Sequence, residues 1–318
     1  MTLTEAPGSI KQKPNIYRGR FAPSPTGPLH IGSLITAVGS FLDARSNGGE
    51  WLVRMEDLDA QRQEPGADSV ILKTLERCGL YWDGIILYQH MRSRQYQAAA
   101  RLLMEKNHAY PCACSRREVA DSGVMGLEGP RYPGTCRQGG GYRKKEKYAI
   151  RLRIPQNCSI EFSDRLQGRI LQELDTQIGD FIIYRADGHA AYQLAAVLDD
   201  AYQNITHVVR GADLLISTPR QLYLQRLLGL PQPIYMHLPV ALDKDGEKIS
   251  KQTGAVQVDA NAPGKEIHRA LWFLGQTPPW QLHGAPPAEL LAWAVSHWRV
   301  ENIDAVSGRK IHQESALY

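Results

Sequence analysis

A histidine and a serine follow a loop rich in proline and glycine near the start of the chain. The run Arg20–Ser33 reads RFAPSPTGPLHIGS and carries His30, Gly32 and Ser33 at its end. Its prolines exclude a helix before His30, whereas apolar residues at helical spacing after it predict one. Backbone N–H groups and the dipole at such a helix start favour phosphate. A lone histidine there is more often a helix cap or a surface residue than a catalytic group, so the surrounding residues must decide.

A second candidate phosphate site lies near the other end of the chain, in the run KISKQ at residues 248–252. Lys248, Ser250 and Lys251 carry the cationic and hydroxyl groups that stabilise charge during phosphoryl transfer. Glycines on both sides would let this loop close over a nucleotide. An isolated run of this kind is more often a solvated loop.

Three of the five cysteines are close together in the sequence. Cys112 and Cys114 flank one alanine, and Cys136 ends a YPGTC run that begins at Tyr132. An intracellular chain argues against disulfides, so these thiols are either small core residues or metal ligands. The Cys-x-Cys spacing is shorter than that of usual zinc fingers, and the residues alone leave both interpretations open.

The overall composition is that of a globular protein, with 43% hydrophobic and 22% charged residues. No apolar run approaches the about 18 residues of a membrane span, and the first 14 residues lack the apolar segment of a secretory signal. We therefore expect a soluble, cytoplasmic protein that does not associate with membranes. The formal net charge is +4, but residues 116–153 hold ten Lys/Arg and four Asp/Glu, so the rest of the chain sums to −2. This basic segment is either a solvated loop or a phosphate contact.

The predicted elements alternate between strand and helix. Short strands at Tyr17–Ala22 and Trp51–Met55 are each followed by a helical pattern, and buried strands are predicted again at Phe181–Tyr184 and Ile205–Val209. This order predicts a parallel sheet flanked by helices. A helix is also predicted to start at Thr218, with a threonine cap and a glutamine that completes a capping box.

We therefore predict an α/β fold with a Rossmann-like parallel-sheet catalytic domain, which is split by an insertion and followed by a short helical C-terminal appendix. At about 150 residues per domain the length suggests two domains. The expected ranges are 16–110 and 180–254 for the two halves of the catalytic domain, 111–179 for the insertion and 255–318 for the helical region.

These motifs, taken in order, resemble the two signatures of class I aminoacyl-tRNA synthetases of the glutamyl branch. The resemblance covers about residues 16–255 and continues through Glu56–Asp59, Asp199-Asp200 and Val209–Asp213. It implies a Rossmann-like fold and activation of L-glutamate by ATP with Mg²⁺, for which no protein ligand is evident. Two positions depart from the family pattern, because Ser33 replaces a second histidine and Gln252 replaces a final serine.

The resemblance also implies roles for individual residues. His30 and Lys251 would be catalytic, and the ATP contacts would be His30, Gly32, Ser33, Lys248, Ser250 and Lys251. The glutamate contacts would be Arg20, Ala22, Ser24, Glu56, Tyr192 and Arg210. Because two arginines suit a carboxylate better than an amide, glutamate is expected in preference to glutamine.

A subgroup of this family shares the cysteine spacing and uses the tyrosine as an unusual fourth ligand. The resemblance therefore implies one structural Zn²⁺ per chain, held by Cys112, Cys114, Tyr132 and Cys136. Four protein ligands leave no open position for a catalytic water.

The length beyond the second signature bears on the acceptor of the glutamate. Residues 254–318 sum to −1 and are too few for the separate anticodon-binding domain of a full glutamyl enzyme. This, the zinc spacing and Ser33 resemble the short branch of the family, which transfers glutamate to the queuosine base of tRNA(Asp). The implied partners are ATP, L-glutamate and queuosine-containing tRNA(Asp), with the basic segment as the candidate RNA contact and a monomer as the active form. The alternatives are charging of the 3′ end of tRNA(Glu) or tRNA(Gln), a small-molecule nucleotidyltransferase, and a non-catalytic RNA-binding relative.

Overall fold

Strands and helices alternate through most of the chain, for which a computed structural model describes residues 16–122, 124–139, 147–249 and 257–311. The strands are β1 (Arg18–Phe21), β2 (Glu50–Met55), β3 (Leu87–Tyr88), β4 (Ala109–Cys112), β5 (Met125–Gly126), β6 (Gly129–Pro130), β7 (Ala149–Leu152), β8 (Ser159–Asp164), β9 (Gly168–Glu173), β10 (Ile182–Tyr184), β11 (His207–Gly211), β12 (Ile234–Leu238), β13 (Val240–Leu242) and β14 (Gly308–Lys310). The helices are α1 (Ile31–Ser46), α2 (Ala67–Arg77), α3 (Ser93–Glu105), α4 (Arg116–Ala120), α5 (Leu174–Gln177), α6 (Tyr192–Tyr202), α7 (Thr218–Leu228), α8 (Pro263–Phe273) and α9 (Pro287–His297). None of the helices in these ranges is both long and apolar enough to cross a membrane.

A mostly parallel sheet forms the centre of the fold, as the sequence predicted. β2 pairs in parallel with both β1 and β3, and β11 pairs in parallel with β12. The Thr206 N–H donates to the carbonyl of Arg18 at 2.9 Å, which brings β11 beside β1. The strand order across the centre is therefore β3, β2, β1, β11, β12.

Helix α1 packs closely against this sheet. Its apolar residues at helical spacing are buried, and Gly48, with φ +62°, follows its end. At Gly39 an added Cβ would lie 2.6 Å from Cδ1 of Leu238 in β12, so a larger residue would force the Leu238 side chain to move. The close packing places the start of α1 at the carboxyl ends of the central strands.

The strand predicted at Phe181–Tyr184 forms, but it does not join the parallel sheet. It is β10, which pairs antiparallel with β7, and β7 pairs antiparallel with β4. Conversely, the β8–β9 hairpin from the predicted insertion joins the central sheet, because β8 pairs in parallel with β12 at Asp164 and Tyr235. An apolar run predicts burial but does not select the partner strand, which explains the difference.

The C-terminal helices belong to the principal hydrophobic core and do not form a separate appendix. Buried residues of α8 and α9 pack in one cluster with the buried face of α1. The Trp298 indole N–H donates to Asp43 of α1 at 3.1 Å, and β14 pairs in parallel with β13. Helical periodicity indicated which residues are buried here, and the chain path determined what they pack against.

The capping box predicted at the start of α7 is absent. Ser217 occupies the N-cap position without a side-chain capping bond, and a proline lies in the first turn as predicted. The Thr218 hydroxyl instead accepts a hydrogen bond from Nη2 of Arg210 at 2.7 Å. Thr218 is fully buried, so its hydroxyl bonds to an interior partner rather than to its own helix.

Candidate active site

A cavity of about 700 Å³ opens at the carboxyl ends of β1, β2 and β11. This volume is within the range of about 300–1,000 Å³ typical of ligand sites, and the position is where open α/β sheets bind ligands. Its lining includes every residue predicted to contact glutamate, which are Arg20, Ala22, Ser24, Glu56, Tyr192 and Arg210. Four of the residues predicted to contact ATP also line it, namely His30, Gly32, Ser33 and Lys248. The remaining predicted residues Ser250 and Lys251, and Gln252 beside them, lie outside the described residues.

The side chain of His30 is folded over the first turn of α1. His30 is the N-cap residue, and its Nδ1 accepts the Ser33 N–H at 3.4 Å. The Ser33 hydroxyl lies 3.1 Å from Nε2 of the same ring. A Cβ on Gly32 would lie 3.1 Å from the imidazole, so glycine leaves room for the ring. The histidine is thus a helix cap that also lines the cavity, where the helix N-terminus favours a phosphate.

The described residues on both sides of 250–256 lie next to the cavity. Before this range, Nζ of Lys248 is 2.6 Å from the carboxylate of Asp213. After it, the Val258 N–H donates to the Leu29 carbonyl at 2.9 Å. The described residues that flank 250–256 therefore lie close to the cavity and to the first signature.

One wall of the cavity is a buried cluster of charges. Asp200 accepts from Nε of Arg20 at 3.0 Å and from Nη1 of Arg54 at 2.7 Å, and Arg54 also lies 3.2 Å from Glu56. Burial alone would raise the pKa of Asp200, but the two guanidinium groups outweigh it and lower the pKa to about 2. Burial raises the pKa of Glu56 despite the same arginines. The cluster holds Arg20 and Glu56 in fixed positions at the cavity surface.

A second cluster beside the cavity is organised around Arg210, near the end of β11. Its Nη1 donates to the Tyr192 hydroxyl at 3.3 Å, and its Nε donates to Nε2 of His237 at 3.0 Å. Burial raises the pKa of Tyr192, so the phenol keeps its proton at neutral pH. Arg210 is therefore a fixed cation whose nearest acceptors are neutral.

The charges of the cavity suit an amino acid with a second carboxylate. The three guanidinium groups and two carboxyl groups of these two clusters leave one positive charge, and Arg62, Lys248 and Asp213 of the cavity lining add one more. Glutamate carries one net negative charge. Arginine pairs well with carboxylates, and a carboxylate such as Glu56 pairs with an ammonium group. The wall of charges and the helix start at His30 share one cavity, so an amino acid and a nucleotide phosphate can meet there.

The predicted metal ligands lie close together within the insertion. The Sγ atoms of Cys112, Cys114 and Cys136 lie within 4.8 Å of one another. The Tyr132 hydroxyl is 3.4 Å from the first sulfur and 3.6 Å from the second. A tetrahedral Zn²⁺ with bonds of about 2.3 Å requires ligand atoms about 3.8 Å apart, so the four side chains fit such an ion.

Much of the predicted basic segment is turned inward. Arg137 pairs with Asp180 at 2.7 Å, the guanidinium of Arg151 lies 3.9 Å from the ring centre of Tyr132, and Arg153 stacks on another tyrosine. All three have partners within the insertion, but only Arg151 is buried, and Arg137 and Arg153 are partly exposed. Exposed basic side chains of the segment include Arg116, Arg117 and Lys147, whereas Arg143, Lys144 and Lys145 lie outside the described residues.

Three buried side chains that contact the cavity residues, directly or through a neighbour, were not assigned a role from the sequence. Arg54 and His237 are fully buried within the apolar strands β2 and β12, and Asp164 ends β8 beside His237. A charged or titratable residue inside an apolar strand must have a buried polar partner. This feature of the sequence could have identified Arg54 and His237 as candidates.

Comparison with known proteins gives a consistent result. A family model described as the catalytic domain of class I tRNA synthetases (E and Q) matches residues 17–269. A protein of Thiobacillus denitrificans named glutamyl-Q tRNA(Asp) synthetase is 54% identical, over 90% of this chain and 94% of its own. Proteins of the same name from Dechloromonas aromatica and Methylococcus capsulatus are 53% and 50% identical, over 90% and 93% of this chain and 95% of their own.

The fold is also found among solved structures. The glutamate-tRNA synthetase of Elizabethkingia anophelis has a TM-score of 0.78 to this chain at 24% identity. The match covers 94% of this chain and 68% of that protein. The two proteins share the α/β fold.

Proposed function

This chain belongs to the class I tRNA synthetases of the glutamate and glutamine branch, and we propose that it activates L-glutamate with ATP and transfers it to the queuosine of tRNA(Asp). The observation that carries this function is the single cavity in which Arg20, Arg210 and Glu56 face the helix start at His30. The relatives named for this acceptor are 50–54% identical over at least 90% of this chain.

The first step is attack by a carboxylate oxygen of glutamate on the α-phosphorus of ATP. A phosphorus–oxygen bond forms, and pyrophosphate leaves with the electron pair of the bond that breaks. Negative charge then develops on the phosphoryl oxygens, and groups placed in advance lower its energy. His30 and Lys248 line the cavity, and with the N–H groups of the first turn of α1 and Lys251 they would supply these groups. Mg²⁺ accompanies ATP and neutralises part of its charge.

The amino acid is recognised by the charges of both cavity walls. Arg20 and Arg210 bind carboxylate oxygens, and Glu56 binds the ammonium group. Tyr192 can donate its phenolic proton to the substrate while it accepts from Arg210. Glutamine would present a neutral amide to a site with an excess positive charge, which favours glutamate.

The second step transfers the glutamyl group to RNA. A hydroxyl oxygen of the cyclopentenediol of queuosine attacks the carbonyl carbon of the mixed anhydride, AMP leaves, and the hydroxyl proton is released. The product is an ester on the anticodon base. Exposed residues of the insertion, among them Arg116 and Arg117, are the candidate contacts to the RNA backbone.

We also propose one structural Zn²⁺, held by Cys112, Cys114, Tyr132 and Cys136. The ion would cross-link β4 to the loop that follows β6 and would leave no site for a catalytic water. We propose that the monomer is active, because the described residues of one chain bring the predicted glutamate contacts and His30 into the same cavity. A tRNA substrate places the reaction in the cytoplasm.

The decisive experiment locates the glutamate on the tRNA. The protein is incubated with ATP, labelled glutamate and tRNA(Asp) that contains queuosine, and nuclease fragments are then separated. We expect the label on the anticodon fragment. The matched control is the same tRNA with guanosine at the wobble position, which should take up no label.

Each other result rejects the proposal in a recognisable way. Label on the 3′-terminal adenosine would show an enzyme that charges tRNA ends. Binding of tRNA without glutamate-dependent exchange between ATP and pyrophosphate would show a non-catalytic RNA-binding protein.

A further inference from the structure

Arg210 is held by neutral acceptors on three of its nitrogen atoms. Nε donates to His237, Nη1 to Tyr192 and Nη2 to the Thr218 hydroxyl, at 3.0, 3.3 and 2.7 Å. Only 3% of the residue is exposed. The orientation of this guanidinium in the cavity therefore depends on whether each neighbour presents a lone pair.

The contact with His237 specifies one tautomer of the imidazole. A guanidinium donates only, so Nε2 of His237 must be unprotonated to accept from Arg210. The ring proton is then on Nδ1, which lies 2.6 Å from a carboxylate oxygen of Asp164. His237 is fully buried, and its burial, together with Arg210, lowers its pKa to about 4, which keeps the ring neutral.

Both oxygens of Asp164 are used as acceptors. Oδ1 accepts the backbone N–H groups of Leu166, Gln167 and His237 at 2.9–3.2 Å, and Oδ2 accepts from the imidazole. Burial would raise the pKa of Asp164, but these hydrogen bonds lower it. Asp164 is therefore an ionised carboxylate, and the Nδ1 atom of His237 that faces Oδ2 must carry a proton.

We propose that Asp164 and His237 are positioning residues of the glutamate site, because together they fix the tautomer that holds Arg210 toward the substrate carboxylate. The chain of contacts runs from Asp164 on β8 through His237 on β12 to Arg210 on β11. Neither Asp164 nor His237 lines the cavity. This inference rests on the proposed function, because it requires that Arg210 binds a carboxylate of glutamate.

The substitution Asp164→Asn tests the tautomer with almost no change in shape. The amide oxygen would keep the backbone N–H groups, so the amide N–H would face Nδ1 of His237. The imidazole proton would then move to Nε2, where it would oppose the Nε–H of Arg210. It would also compete with Nη2 of Arg210 for the Thr218 hydroxyl, which lies 3.1 Å from Nε2. Two donors cannot bond, and the guanidinium would lose its alignment.

We expect Asp164→Asn to raise the KM for glutamate about 10- to 100-fold in ATP–pyrophosphate exchange, with little change in the KM for ATP. The control is Asp43→Asn. Asp43 is also a buried carboxylate, but it accepts hydrogen bonds from Trp298 and Arg165, away from the cavity. The control substitution should lower stability and leave the KM for glutamate unchanged.

Nitrogen-15 NMR of the histidine side chains gives a readout that does not depend on activity. The His237 signals are assigned by their loss in His237→Gln. In the wild-type protein the proton should be on Nδ1, and in Asp164→Asn it should be on Nε2. A wild-type ring protonated on Nε2 overturns the proposal even if the variant does not fold.

The kinetic outcomes separate this inference from the proposed function. A wild-type protein without glutamate-dependent exchange rejects the function itself. Normal wild-type exchange with an unchanged KM for glutamate in Asp164→Asn rejects the positioning role alone. An equal rise in the KM values for glutamate and ATP rejects it too, because that would be a general distortion of the cavity.

Discussion

The two arginines proposed to bind glutamate differ in how their charge is balanced. Arg20 pairs directly with the ionised carboxylate of Asp200, which offsets part of its charge. The acceptors of Arg210 are instead a histidine, a phenol, a hydroxyl and a carbonyl, all neutral. A buried cation without a carboxylate partner gains most from an incoming anion. We therefore expect Arg210 to contribute more than Arg20 to glutamate affinity.

Removal of the Tyr192 hydroxyl tests whether the contacts of Arg210 support glutamate binding. Tyr192→Phe removes the acceptor for Nη1 of Arg210 and a donor to the substrate, so the KM for glutamate should rise about tenfold. The KM for ATP should stay within about threefold, since a tenfold change requires about 1.4 kcal/mol. ATP–pyrophosphate exchange measures both constants.

A matched control removes a hydroxyl outside the cavity. In Tyr223→Phe the lost group bonds to the backbone carbonyl of Arg153 at 3.4 Å, so both KM values should be unchanged. Equal KM values for glutamate in Tyr192→Phe and the wild type would remove this tyrosine from the site.

Among the elements, the β4–β7–β10 sheet has the four candidate metal ligands at or beside the end of β4. β4 ends at Cys112, and Cys114 follows it just before the capping box of α4. Tyr132 and Cys136 lie in the loop after β6 and pack in one buried cluster with Tyr110 and Cys112 of β4. A metal ion would add a direct link between strand and loop to this side-chain packing.

The variant Cys114→Ser should lose most of its bound zinc, because a serine hydroxyl is not deprotonated at neutral pH and is a poor zinc ligand. Mass spectrometry of the purified protein measures the metal content. Cys158→Ser, which changes a cysteine outside the cluster, should keep one zinc per chain. Full zinc content in Cys114→Ser would refute the site.

At the scale of the whole molecule, Asp43 of α1 connects distant parts of the chain. It is fully buried and accepts from Tyr17 before β1, from Arg165 in the β8–β9 hairpin at 3.1 Å and from Trp298 after α9 at 3.1 Å. The hairpin and the C-terminal helices are thereby tied to the first helix of the fold. The connection explains why these segments do not behave as separate additions.

Removal of this carboxylate should destabilise the entire protein. Asp43→Ala leaves Arg165 without its partner, and it leaves the Tyr17 hydroxyl and the Trp298 indole N–H without their acceptor. The free energy of unfolding should therefore fall by about 3–5 kcal/mol. Urea denaturation measures the change. The control Glu161→Ala breaks the exposed pair with Arg169 and should leave the free energy of unfolding nearly unchanged. Similar values for the two variants would contradict a central role of Asp43.

The local elements near the nucleotide site could be predicted because their signals are local. Prolines before His30 exclude a helix, and the apolar spacing after it produces α1 whatever lies elsewhere in the chain. The failures have a different origin. Thr218 does not cap α7 because a buried arginine competes for its hydroxyl, and β10 pairs outside the parallel sheet although its sequence is apolar.

The sequence by itself determined the α/β class, the helix start at His30 and the residue types of the proposed glutamate site, because motifs and periodicity depend on neighbours along the chain. Only the tertiary structure decided that Asp164, from the predicted insertion, lies against His237, which is 73 residues away. It also decided that the C-terminal helices complete the core. Burial drives each apolar face toward some partner, but which partner it meets depends on the path of the whole chain.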